Sequence, residues 1–410
     1  NKRAIVVVAA VLVIGIIVGI GCWAISNVFA PTGGDGPVIN KPAPDPLLTV
    51  DDMAGLGVGE WLVSPEVPTA ANALCIGATY ETAPLADRIA TRQLNTAGNP
   101  ANTVANLVAT YATLQIAGQV LADQVSQMGI CPGVTAQLVN SYDIAGLGDE
   151  FSAFTLMLET DVLEYHTIFL GRTGRVNIFV DLVDSQKAIA PAEASGMLVK
   201  VLNRLCRGGE GACPTGISVN ATVPPVGDFA GWLTEVDMPR INANAGAWGA
   251  SEPSSTLKIT GSQCEVGDLK KVSGAKALQR TLLLVGDPKA PKSFGVDQVD
   301  YTFDDPDKAA KYAKELNRGL ANCADTRPTA AVEEGANIKG VGAGDAAFTG
   351  KTYQITHTIS VDSSTVYRVA VITSGSSVGY LFANPSANFN FSDQQWKAIA
   401  TRAAERITQK

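Results

Sequence analysis

LTVDDM at residues 48–53 returns as LTEVDM at 233–238, and the fold is read outward from that recurrence. Cys75 has its counterpart in Cys264 and Cys131 in Cys323. GLGDE at 146–150 returns as GAGDA at 342–346, and residues 165–182 align without a gap on 367–384. Because the order is the same in both halves, two copies of one unit are the economical explanation. The recurrence predicts a first domain over 47–213, a linker over 214–227 (PTGISVNATVPPVG, with linker composition) and a second domain over 228–410.

Each copy reads alike at coarse resolution. Thr49 or Thr234 is expected to cap a short helix, followed by a cysteine-bearing strand and a further strand, about 106–114 and 294–303. A helix comes next. In the second copy Asp305 and Pro306 open it, with Ala309, Tyr312, Ala313, Leu316 and Leu320 on one face; in the first, Ala117, Val120, Leu121 and Met128 hold the same phase. Three strands then follow the Gly-x-Gly-Asp turn, about 152–159, 164–171 and 175–184, mirrored by 351–360, 365–374 and 377–383. A last helix closes each unit, marked by Leu198, Val201, Leu202 and Leu205, and by a Ser392–Gln395 capping box ahead of Trp396, Ile399, Ala400, Ala403 and Ile407. Successive strands joined by short turns imply antiparallel pairing. The expected fold class is therefore α+β, each domain an antiparallel sheet with helices on one face.

The chain has 410 residues, 46% hydrophobic and 17% charged, enough apolar material for two or three cores and too much for wholesale disorder. Its net charge of -8, with no basic cluster beyond the first three residues, lacks the footprint of a nucleic-acid binder. Two histidines leave little for a His-dependent metal site or for the usual base of acyl transfer. No cofactor and no metal is expected.

Residues 4–30 carry no charge and as a helix are about 40 Å long, enough to cross a bilayer core. Lys2 and Arg3 precede the run and Asp35 is the next charge, so the positive-inside rule predicts a single-pass anchor over 1–30 with a cytoplasmic N-terminus and an extracytoplasmic bulk. The alternative is a cleaved lipoprotein signal ending at Cys22, although Gly19 stands where such signals carry a branched residue. Residues 31–46, PTGGDGPVINKPAPDP, read as a semi-extended stalk.

Six cysteines remain beyond that segment, an even number suited to an oxidising compartment. Six allow fifteen pairings, and the duplication selects among them. A shared fold pairs Cys75 with Cys131 and Cys264 with Cys323, which leaves Cys206 to Cys213. The competing reading as a zinc or redox site has no CxxC and few histidines to support it.

Several motifs and residues invite chemistry, and each has a plainer reading. GSSVG at 375–379 has the letters of a serine-hydrolase elbow, but it falls in a turn between two strands rather than between strand and helix. GDAAFTGKT at 344–352 has one residue too many for a phosphate loop and runs into a strand. Asp304, Asp305 and Asp307 suit a helix start as well as calcium. His357 is in register with Tyr353, Ile355 and Ile359, so a packed sheet histidine is the expectation, and His166, whose counterpart in the alignment is Arg368, is expected on the face opposite Tyr165. Trp61 and Trp232 could line a groove but suit a core. No catalytic residue is predicted.

The Leu-Thr helix start, the first cysteine, the helix running into a second cysteine (LNRGLANCAD, 316–325), the Gly-x-Gly-Asp turn and the closing strand trio and helix together resemble a known ectodomain. It is the extracellular sensor domain of actinobacterial receptor serine/threonine kinases of the mycobacterial H type. The resemblance covers about 46–209 and 229–410, a tandem version. It implies an α+β fold around an antiparallel sheet, disulfide bracing, an actinobacterial cell envelope and a ligand groove, with no catalytic residue to carry over. The kinase domain and the extra cysteine pair of some members are missing. The function expected is that of a non-enzymatic, membrane-anchored sensor or ligand- or partner-binding protein of the envelope. The alternative is an accessory subunit docking on a large membrane complex such as a respiratory assembly.

Overall fold

A computed structural model describes residues 45–410 apart from 58, 83, 99, 100, 160, 161 and 243–246. In the first repeat the strands are β1 (Trp61–Val63), β2 (Arg88–Thr96), β3 (Thr103–Thr110), β4 (Ala136–Ala145), β5 (Glu150–Glu159), β6 (Leu163–Thr173), β7 (Val176–Asp184) and β8 (Ser218–Thr222). Those of the second are β9 (Trp248–Ala250), β10 (Ala275–Leu284), β11 (Gly295–Phe303), β12 (Ala330–Val341), β13 (Ala347–Ser360), β14 (Ser363–Ser374) and β15 (Ser377–Ala383). The helices are α1 (Gly77–Thr82), α2 (Leu114–Gln127), α3 (Pro191–Arg207), α4 (Pro306–Ala321), α5 (Cys323–Thr326) and α6 (Asp393–Ile407). Two antiparallel sheets result, eight strands in the order β1-β2-β3-β7-β6-β5-β4-β8 and seven in the order β12-β13-β14-β15-β11-β10-β9. Read from opposite ends the two orders are the same, with β8 as the one addition. The duplication is thus visible as topology.

Three expectations are corrected. Helices do not share one face of each sheet. On β7 the residues Ile178, Val180 and Leu182 pack against Leu198, Val201, Leu202 and Leu205 of α3, whereas Phe179 belongs with Ala117, Val120 and Leu121 of α2 on the opposite side. In the second repeat α6 packs with Leu381 and Ala383 and α4 with Val378, Tyr380 and Phe382. A strand covered on both faces is apolar throughout rather than alternating, and all seven residues of β15 are buried. Second, the cysteines sit in no strand: Cys75 lies in the turn before α1 and Cys264 in the loop before β10. Third, no helix among the described residues is long and apolar enough to cross a membrane; the run 4–30 expected to do so, with Cys22, lies outside those residues, as does most of the stalk.

The ladders also move the internal alignment. Thr173 pairs with Val176 and Ser374 with Ser377, so 174 corresponds to 375, one residue out of step with the ungapped match of 165 to 367. A one-residue slip exchanges the two faces of a strand. His166 therefore corresponds to Tyr367 rather than Arg368. It sits 3.0 Å from Asp181, while Tyr367 stacks with Phe382 at a centroid distance of 5.4 Å.

The opening Leu-Thr element forms a short 3-10 turn rather than an α-helix, Val50–Met53 and Glu235–Asp237. The Asp52 carboxylate accepts from the Thr49 N–H and hydroxyl at 2.8 and 3.0 Å, and Asp237 accepts from the Thr234 N–H at 2.9 Å, with the Thr234 hydroxyl oxygen 3.2 Å away. Leu48 N–H donates to Asn106 and Leu233 N–H to Gln298, both at 2.9 Å.

Disulfides join Cys75–Cys131, Cys264–Cys323 and Cys206–Cys213. The first two tie the segment before the long second strand to the end of α2 or α4; the third closes the loop after α3.

Candidate functional site

The segment expected as a bare linker builds the junction between the repeats. Its residues 218–222 form β8 and pair with β4. Val236, on the second repeat's opening turn, is buried in the first repeat's core beside α2, and the Thr234 hydroxyl donates to the Gly129 carbonyl at 3.0 Å. Arg402 on α6 donates to the Leu138 and Val139 carbonyls at 3.2 and 2.9 Å, where β4 carries a bulge. Arg406, fully buried, holds Asp237 at 2.9 and 3.0 Å and reaches the Pro225 carbonyl. Burial opposes ionisation of Asp237, but the Arg406 and Arg402 guanidiniums and the Thr234 N–H outweigh it and hold the carboxyl below the usual range. The repeats from Pro44 onward form one compact unit.

A cleft follows this junction. One end, about 380 Å³, is bounded by Gln137 and Met157 of the first repeat and by Pro239, Arg240, Ser392, Gln394, Gln395 and Ala398 of the second. The other, about 510 Å³, lies over the Cys131–Thr135 loop and is closed by Asp228, Glu235 and Trp248. A narrower pocket of about 40 Å³ shares Gln137, Met157 and Arg240 with the first and Val134, Glu235 and Trp248 with the second, joining them. Both ends are in the size range of ligand sites.

The walls are set by hydrogen bonds and packing. The Trp248 indole N–H donates to Pro239 at 3.1 Å and its ring packs 6.0 Å from Phe294 and 6.1 Å from Phe391. Glu235 accepts from the Ala250 N–H at 3.0 Å. Gln395 donates to the Arg240 carbonyl at 2.8 Å while its own carbonyl caps α6 through the Ser392 N–H. Asp228 is held by the buried Arg280 guanidinium, 2.7 and 2.5 Å at its two terminal nitrogens, and that guanidinium lies 5.3 Å over the Phe229 ring. Held in this way, the cleft offers amides, a thioether, an indole and two carboxylates on prepared walls.

The motifs singled out in the sequence fall elsewhere. Ser377 begins β15 after a two-residue turn, so a strand rather than a helix leaves that turn. Gly344 and Gly350 lie in a 3-10 turn and on β13. Asp305 caps α4 by accepting from the Asp307 N–H, and Asp304 pairs with Lys308 at 2.9 Å, so the acids have helix-start roles. Trp61 and Trp232 are both buried. His357 is half-buried, its Nε2 2.9 Å from the Ser262 carbonyl and 3.8 Å from Cys264 Sγ. With Cys264 and Cys323 it forms a group whose donor atoms lie within 4.8 Å of one another, but sulfurs joined to each other are not thiolates, and the set as folded does not fit a metal. The cleft residues Gln137, Met157, Arg240 and Trp248 carry no motif. The one signal for them was the duplication itself, because a second unit placed on the first must leave a seam.

No family model, curated protein or solved structure matches the chain.

Proposed function

We propose that this chain is a non-catalytic binding protein of an oxidising compartment, taking an elongated polar ligand in the cleft between its repeats. The observation that carries the reading is the continuity of that cleft across both repeats, with walls fixed by Trp248, Glu235 and Gln395 rather than by mobile side chains. The three disulfides support the compartment. The wall chemistry favours binding over turnover. Glu235 and Asp228, the carboxylates on it, are each engaged by a backbone amide or a guanidinium. The sensor-type ectodomain that the sequence motifs resemble is read in the same sense, as a receiver of a ligand.

Native mass spectrometry of the full chain, purified in mild detergent, tests this. The wild type should carry an extra mass that is absent from the Met157→Arg/Ala398→Arg variant, which fills one end of the cleft from both sides. An extra mass unchanged in that variant contradicts the reading.

A further inference from the structure

The two sheets differ in one strand, and among the described residues that difference leaves a sheet edge open. In the first repeat β4 is covered by β8, Ser141 facing Thr222 and Ala145 facing Ser218. Its counterpart β12 pairs, among the described residues, with β13 alone and ends the seven-stranded sheet. Among the described residues, the twelve residues of this edge have no ladder partner on the outer side. Unpaired strand edges are templates for a further strand. Both β4 and β12 are bulged, at 138–140 and 334–337, so the two edges also share an irregularity. Beyond the amino end of β12, Ile359 and Val361 are exposed at the tip of the β13–β14 hairpin.

What covers β4 shows what fits β12. The covering segment starts Pro214-Thr215-Gly216, passes through β8 and two prolines, and ends in the Leu-Thr opening turn whose Val236 enters the neighbouring core. The chain holds a second segment of that build. In the sequence, Pro31-Thr32-Gly33 begins it, GPVIN at 36–40 stands at the position that β8 holds in the other segment, further prolines follow, and it ends in the first repeat's own Leu-Thr turn. Its single proline within the strand is admissible on an edge. On that first turn Val50 and Asp51 are exposed, whereas the corresponding turn of the second repeat is packed against the unit before it.

We propose that the chain associates head to tail, residues 36–40 of one copy adding to β12 of the next as β8 adds to β4, so that successive copies repeat the junction found inside each. Such a contact is heterologous, and it extends unless it closes into a ring. It is independent of what the cleft binds.

The test uses the full chain with a photo-reactive phenylalanine analogue at Val38, mixed with isotopically labelled chain of natural sequence. Cross-links are expected between residue 38 of one isotope form and 330–341 of the other. Deleting Gly36–Asn40, which lies outside the described residues, should weaken self-association at least tenfold in sedimentation velocity and leave the unfolding transition in place. A chain that stays monomeric at about 100 μM, association unchanged by the deletion, or cross-links that fall within one copy or away from β12, overturns the proposal.

Discussion

Arg406 straddles Asp237, Nε 2.9 Å from one carboxylate oxygen and Nη2 3.0 Å from the other, and Arg204 holds Asp52 at the same point of the first repeat, 2.8 Å at both nitrogens. Each pair fastens the closing helix to the opening turn. The environments differ: Arg406 and Asp237 are wholly buried, while the Arg204 side chain is 30% exposed. Asp237→Ala strands a buried guanidinium and should cost about 3–5 kcal/mol. Asp52→Ala, whose arginine reaches water, should cost about 1–2 kcal/mol. Urea unfolding of the two variants measures the difference. Both carboxyls are held below their ordinary values against the opposing effect of burial. Their contribution is therefore full above the unfolded value near 4 and is lost as pH falls through the folded one.

His166 gives the first repeat a pH dependence of the opposite sign. Burial disfavours its charge, but Asp181 at 3.0 Å and Glu164 at 3.7 Å outweigh burial and raise it above 6.5. The folded chain then binds the proton more tightly than the unfolded one. The stabilisation is complete below pH 6.5 and declines as pH rises through the raised value. The His166→Tyr/Asp181→Phe double variant copies Tyr367 and Phe382 of the second repeat. It should fold and lose that slope in unfolding experiments from pH 6 to 9.

Two glycines should respond in opposite directions to alanine. A Cβ on Gly171 in β6 would lie 2.1 Å from the Phe151 ring, so Gly171→Ala should cost about 1–3 kcal/mol through overpacking. Gly196 sits within α3 with nothing in reach of an added methyl, and Gly196→Ala should stabilise by up to about 1 kcal/mol. Thermal unfolding separates the two.

The sequence was most legible where two copies could be set side by side. Strands β5, β6, β7, β13, β14 and β15, the helices α2, α3, α4 and α6 and the matching cysteine pairs all come from that comparison. Three things were not legible. The layering was hidden because β7 and β15 are apolar on both faces, which periodicity alone does not resolve into two helix layers. The outer strands β2, β10, β4 and β12 were missed because segments such as AVEEGANIKGV are polar edges with a bulge rather than alternating runs. The cleft was missed because its residues become neighbours only when Val236 docks in the first repeat, a long-range event with no local signature.

The disulfides should rank by the chain they enclose. Cys75–Cys131 and Cys264–Cys323 span 56 and 59 residues, and removing either pair should cost about 4 kcal/mol in the loop-entropy model. Cys206–Cys213 spans seven and should cost about 2.5 kcal/mol. Cys→Ala pair variants compared by urea unfolding give the order.

A cleft with fixed walls requires both repeats to behave as one body, held by Val236 in the first repeat's core, and calorimetric unfolding of the full chain measures this directly. One cooperative transition is predicted for residues 45–410, with Val236→Asp splitting it into two and lowering the first repeat by about 2–4 kcal/mol. Two independent transitions in the unsubstituted chain would contradict the account, since the walls would then not be held in place relative to each other.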